Sequence, residues 1–201
     1  AAPFQASIQV TINGRSAHAG VNPEDGISAI QVAAKAISRM PLGRIDHETS
    51  ANIGSFEGRG PTNIVCDRVE IRAEARSIRE EKLQRQLQKM KESFAQTASE
   101  FGAQVQFESE TTPGFLFGED DHVVQLASRA IRAIGRIPHT FHSGGGSDAN
   151  IFNGKGLPTV NLAVGYEKIH TVDEQMPIAE LVKTAELVVA IVEQSIQLPT
   201  P

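Results

Sequence analysis

Apolar and polar residues alternate strictly from Phe4 to Ile12. Phe4, Ala6, Ile8, Val10 and Ile12 fall on one face, and Gln5, Ser7, Gln9 and Thr11 on the other. Period two with one apolar side predicts a half-buried strand. A turn follows from Gly14 to Gly20. Asn22-Pro23-Glu24-Asp25 then reads as a helix start, with Ile27, Ile30, Ala34 and Ile37 as its apolar stripe. That helix is expected to stop near Met40-Pro41. Ser50 to Phe56 predicts a second strand. Val69, Ile71, Ala73 and Ala75 alternate with Arg68, Glu70, Arg72, Glu74 and Arg76, a third one-sided strand. Ser77 with Glu80 reads as a capping box. It would open a helix burying Leu83, Leu87, Met90, Phe94 and Phe101 and stopping at Gly102. Val105 and Phe107 mark a last strand.

Strand, helix, strand, strand, helix, strand is the split βαβ, ferredoxin-like order: an α+β unit with two helices on one side of an antiparallel sheet. It spans residues 4–112. The polar sides of the first and third strands agree, so one sheet face is expected to stay open.

The pattern changes after Pro113-Gly114. Residues 121–134 predict a helix, with Val123, Val124, Ala127, Ala130, Ile131 and Ile134 inward and Gly135 as the stop. Leu157 to Val164 is almost continuously apolar, as in a strand covered on both faces. Residues 178–196 predict a final helix with Leu181, Ala185, Val188, Val189 and Val192 inward. Residues 113–201 thus read as a partial α/β region. A buried strand without neighbours leaves backbone groups unpaired. The rest of its sheet is expected upstream of Ala1, in a segment not in the chain.

Composition narrows the function. A net charge of −5 in 201 residues argues against a general nucleic-acid binder or an anionic-membrane binder. The longest apolar runs fall far short of a bilayer span. One cysteine, Cys66, excludes an internal disulfide framework and suits a reducing compartment.

Candidate chemistry lies in the loops. His18 stands among small residues in "NGRSAHAG", where a turn has no need of imidazole. Ser143-Gly144-Gly145-Gly146-Ser147-Asp148-Ala149-Asn150 lets backbone approach a ligand, and its amides suit an anion or a carbonyl oxygen. A flexible turn is the other reading. It lacks the Lys-Ser/Thr end of a phosphate loop. His170 follows the expected buried strand, where α/β sheets bind ligands. One histidine is not a metal site, which needs three or four ligands. His139, His142, Asp173 and Glu174 lie nearby in sequence without an established ligand spacing. Asn63 by itself reads as a turn residue, and Arg76 as one of three solvated arginines with Arg68 and Arg72.

Four segments, "GRSAHAGVNPEDGISAI", "TNIVCDRVEIRAEARS", "GGGSDANIFNGKGLPTVNLAVG" and "IHTVDE", together resemble the two-zinc metallopeptidase family of peptidase T, carboxypeptidase G and succinyl-diaminopimelate desuccinylase. Within it the resemblance is to the peptidase T-like tripeptide aminopeptidases of bacteria. It implies a ferredoxin-like lid and dimerisation domain over 4–112. It also implies the C-terminal part of an α/β zinc-exopeptidase catalytic domain over 113–201. The family's amino-terminal metal ligands and general base have no counterpart here, and Glu80-Glu81 falls on a lid helix. The resemblance implies that His18 donates to the substrate carbonyl, often from the partner's lid. It places Asn63 and Arg76 on substrate oxygens, His170 as a zinc ligand, and Ser147, Asp148 and Asn150 around the substrate end of the pocket. It further implies two zinc ions per site, replaceable by cobalt or manganese, a short peptide substrate, a homodimer through the lid and a cytoplasmic enzyme. No nucleic acid or membrane is expected as a partner. An N-acyl or N-carbamoyl amino-acid amidohydrolase on the same scaffold, and a non-catalytic ferredoxin-like binding module, are the alternatives.

Overall fold

A computed structural model of the chain describes residues 1–196. The last five residues of the expected second region lie outside the described residues. The chain divides into two compact units: Ala2–Phe115 with Gly144–Gly146, and Ala1, Leu116–Ser143 and the residues from Ser147 onward.

The first unit is a five-stranded antiparallel sheet with strands β1 (Phe4–Asn13), β2 (Gly43–Arg44), β3 (Thr49–Glu57), β4 (Arg68–Ser77) and β5 (Gln104–Thr112). Their spatial order is β2-β3-β4-β1-β5. Helices α1 (Ala29–Arg39) and α2 (Glu80–Phe101) cover one face. Removing the two-residue β2 leaves the ferredoxin-like order. β1 lies centrally because its covered side is apolar throughout: Ala6, Ile8, Val10 and Ile12 are all buried. Its register with β4 sets Gln5 opposite Arg76, Ser7 opposite Glu74, Gln9 opposite Arg72 and Thr11 opposite Glu70. β5 adds Gln106, Glu108 and Glu110 to that same polar face. The open face expected from the alternation is therefore present.

The helices depart from the pattern in instructive ways. Asn22-Pro23 opens a separate 3₁₀ turn, Pro23–Asp25, held by Asn22 Nδ2 donating to Asp25 Oδ2 at 2.7 Å. α1 starts later, where Ser28 Oγ accepts from the Gln31 N–H at 3.3 Å. Its buried residues are Ala29, Val32, Ala33 and Ala36, whereas Ile30 and Ala34 face outward. Small side chains fill the space where α1 lies against α2, so bulk was a poor guide to the inner face. The Ser77–Glu80 capping box does not form. Ser77 is fully buried in the sheet, bonded to Thr49 Oγ1 at 3.0 Å, and the N-cap is Arg79. α2 buries Leu83, Leu87, Met90 and Phe94, while Phe101 is half-buried under Lys35. Gly102 ends it at φ +71°, which only glycine adopts without strain.

The second unit contains α3 (His122–Ala133), the short α4 (Asp148–Gly154) and α5 (Ile178–Ile196). α3 and α5 meet through Ala130, Leu187 and Ala190, with Ile131, Ile134 and Ile191 beside them. Leu157 to Val164 forms no strand, because no strand among the described residues lies alongside to complete a ladder. Side-chain amides hold it instead. Asn153 donates to Thr159 O at 2.7 Å and accepts from its N–H at 3.0 Å, and Asn161 Nδ2 donates to Ser147 Oγ at 2.6 Å. The predicted inner face of α5 is also reversed. Leu181, Ala185, Val188, Val189 and Val192 are exposed, and Leu187 and Ala190 are the buried pair. This helix is apolar nearly all round, so its period fits two faces and its one neighbour, α3, selects between them.

Candidate functional site

His18 lies beyond β1, on a loop with three supports. Ala19 N–H donates to Asn63 O at 2.9 Å and Val65 N–H to Ala17 O at 2.9 Å, which makes a bridge between His18 and Ile64. Arg15 Nε donates to Asp25 O, and the N–H groups of Val21 and Asn22 donate to His18 O. Gly14 is required at the base, because a Cβ there would lie 2.0 Å from Ile27 O. Two exposed side chains 45 positions apart are thus brought side by side by backbone pairing. The Gly20 N–H donates to His18 Nδ1 at 3.1 Å. An accepting Nδ1 leaves the ring proton on Nε2, pointing away as a donor. That is the tautomer required for stabilising a developing oxyanion.

Arg76 lies at the opposite end of the sheet. Arg68 pairs with Asn13, at the end where the His18 loop begins, and Arg76 pairs with Gln5. Eight strand residues separate the two ends, roughly 26 Å at 3.3 Å per residue. The structure brings His18 and Asn63 together and holds Arg76 apart from them. Arg76 Nε and Nη2 donate to the two carboxylate oxygens of Glu74 at 3.1 and 2.9 Å, and Nη1 donates to Gly144 O at 3.1 Å. Glu74 went unremarked in the sequence beyond its place in the alternation. Its signal was there, an acid two positions before an arginine on one strand face.

Ser147 and Asn150 cap α4. The Ser147 N–H donates to Asn150 Oδ1 at 2.9 Å, and Ser147 Oγ accepts from the Ala149 N–H at 3.2 Å. Asn150 is 1% exposed and belongs to the local framework, while Asp148 occupies the exposed first helical position. His170 lies in a loop closed by a two-way backbone bridge between Glu167 and Gln175. Its φ of +62° is unusual for a side-chain-bearing residue, and its N–H donates to Glu174 Oε2 at 2.7 Å. No group of three or more His, Cys, Asp or Glu residues that could hold a metal ion occurs among the described residues. His139, His142, Asp173 and Glu174 do not complete a site around His170. The donor set within this span does not by itself fit a metal centre.

A second cluster joins the β2–β3 connection to α2. Lys82 Nζ bridges Glu48 and Asp46, the latter at 3.2 Å, with Arg79 Nε 3.6 Å from Glu48. A backbone hydrogen bond from the Glu48 N–H, then Thr49 and Lys82, hold the Asp46 carboxyl well below its ordinary range. The Lys82 hydrogen bond lowers Glu48, and Glu48 in return raises Lys82. This network anchors the fold and lies outside the candidate chemistry.

Residues 5–101 match the family model for the M20 peptidase dimerisation domain. Aminopeptidase PepT from Bacillus cereus ATCC 10987 is 60% identical and superposes with a TM-score of 0.88, over 96% of this chain and 52% of that one. The chain belongs to the M20 peptidase family. A tripeptidase from Staphylococcus aureus subsp. aureus Mu50 is 46% identical, also with a TM-score of 0.88, over 94% of this chain and 51% of that one. An uncharacterised Bacillus subtilis (strain 168) protein, YqjE, is 59% identical over 97% of this chain and 53% of its own length. The M20 chain therefore spans about half the length of these relatives. No helix among its described residues is long and apolar enough to cross a membrane.

Proposed function

We propose that the chain is the lid and the C-terminal part of the catalytic domain of a metal-dependent exopeptidase. Its substrates are short peptides, with a tripeptide aminopeptidase-like activity. Support comes from relatives named as an aminopeptidase and a tripeptidase. One structural observation carries the reading further: His18 and Asn63 lie about 26 Å of strand away from Arg76. An extended tripeptide spans only about 11 Å. One lid cannot place both ends on one such substrate. A homodimer resolves this, with His18 and Asn63 from one lid and Arg76 from the other meeting at each of two sites.

In that arrangement His18 Nε2–H donates to the carbonyl oxygen as it becomes an oxyanion. Asn63 adds a second polar contact to the substrate, and Arg76 holds its carboxylate. Zinc, or cobalt or manganese in its place, would bind with His170 as one ligand and the others from residues outside this span. Ser147, Asp148 and Asn150 shape the substrate end, the first and last by fixing the start of α4. A cytoplasmic location is proposed with this activity.

The test is complementation in the intact protein. His18→Ala and Arg76→Ala variants should each lose hydrolysis of tripeptides. Mixed and re-associated, they should recover about one quarter of wild-type activity, because half of the dimers then hold one complete site. No recovery from variants that still exchange subunits sinks the shared site. No hydrolysis of any tripeptide by the unmodified protein sinks the peptidase reading.

A further inference from the structure

We propose that Glu74 is a positioning residue for Arg76, filling one edge of the guanidinium so that the other edge takes a ligand carboxylate end-on. This rests on the reading of Arg76 as the carboxylate-binding group. A guanidinium offers five N–H donors in a planar fork. Its side edge, Nε with Nη2, is occupied by both oxygens of Glu74 at 3.1 and 2.9 Å. A carboxylate ligand is therefore excluded from that edge. The terminal edge, Nη1 with Nη2, remains. There a backbone carbonyl, Gly144 O, accepts from Nη1 at 3.1 Å. A carboxylate is a stronger acceptor for a charged donor than a neutral carbonyl. The ligand therefore takes the place of Gly144 O on Nη1.

The surroundings favour a fixed orientation. Glu74 and Arg76 share one face of β4, two residues apart, and their side chains are only 37% and 28% exposed. Gln5 Nε2 also reaches Glu74 Oε2, at 3.5 Å. Without the carboxylate, the long Arg76 side chain keeps its charge and loses its direction. Glu74 also carries a charge that repels an incoming carboxylate, so it lowers attraction while it sets geometry. The two effects differ in sign, which makes the proposal testable.

In the intact protein, Glu74→Ala should raise KM for tripeptides with a free carboxyl terminus by about tenfold or more. It should leave kcat, and KM for the same peptides amidated at that terminus, unchanged. Glu74→Asp, one methylene too short for the side edge, should behave like Glu74→Ala, and Glu74→Gln should fall between. A lower KM in Glu74→Ala would show that charge repulsion outweighs positioning and would overturn the proposal. Equal effects on free and amidated peptides would assign Glu74 a purely structural role. A second readout does not need hydrolysis. In nitrogen-15 NMR of this chain, the Arg76 Nε–H signal should exchange slowly and shift with N-acetylglycine but not with N-acetylglycinamide. Slow exchange that persists in Glu74→Ala refutes the positioning role. Absence of tripeptide hydrolysis with this NMR behaviour intact refutes only the peptidase reading.

Discussion

The sheet unit and the helical unit have similar apolar content available to them but use it in opposite ways. In the first, four strands and two helices enclose a core in which Val10, Ile12, Ile71, Leu83, Met90 and Phe94 are fully buried. In the second, the buried cluster is Ala130, Leu187 and Ala190, and α5 leaves Leu181, Val188, Val189 and Val192 each more than half exposed. An extended apolar segment, residues 157–164, runs without a ladder. The difference shows that a hydrophobic pattern records all the partners a segment has, whether or not they lie in the same stretch of chain.

The sharpest way to break the comparison is to delete equivalent apolar bulk on each side. Phe94→Ala should destabilise the sheet unit by about 3–5 kcal/mol, since the side chain is fully enclosed. Leu181→Ala on α5, 58% exposed, should stay within about 0.5 kcal/mol. Denaturant unfolding of the chain, followed by probes in each unit, measures both. A large loss at Leu181 would show that the exposed face is covered in solution.

A smaller effect is expected at the base of the His18 loop. Gly14→Ala puts a Cβ 2.0 Å from Ile27 O, and backbone cannot yield there as a side-chain tip can. The cost should be about 1–3 kcal/mol, with chemical-shift changes confined to the loop and to Ala17, Asn63 and Val65 facing it. Changes spread through β4 and β5 would mean that the loop is not an independent feature of the sheet.

The smallest effect is electrostatic. Asp46 and Glu48 have lowered pKa values in the folded chain, so on acidification the unfolded chain takes up protons first. Stability from this pair is complete above the ordinary carboxylate range and is lost as pH falls through about 4 and below. The Tm of wild type should drop more between pH 6 and pH 3 than that of Lys82→Met, which lacks the cation. Equal drops would remove the network from the sheet unit's account.

Legibility in the sequence followed the same divide. β1 and β4 were readable to the residue because each has one wet and one dry side. α1 was readable as a helix but not in its facing, since three of its four buried residues are alanine. Ser77 looked like a cap because a hydroxyl three residues before an acid is the usual sign, yet the sheet had claimed it. The strand expected over 157–164 and the inner face of α5 depended on neighbours that the described residues do not supply. At the candidate site, His18 was conspicuous for its chemistry, but its pairing with Asn63 is a tertiary fact that spacing does not encode. The separation of Arg76 from both was implicit in the strand register and needed only the pairing of β1 with β4.

The bridge between Ala2 and Phe115 has a further consequence. Their N–H and C=O groups exchange two hydrogen bonds of 3.0 Å, so the sheet unit begins and ends at one rung. Gly114 beside it leaves no room for a Cβ against Phe4, which keeps the rung tight. Topologically the unit is a bead hung on a closed clasp. Lengthening or shortening any loop inside the bead leaves the gap between its two ends unchanged. Variation in the lid is thereby insulated from the chain on either side, and the unit can diverge without disturbing what it is attached to.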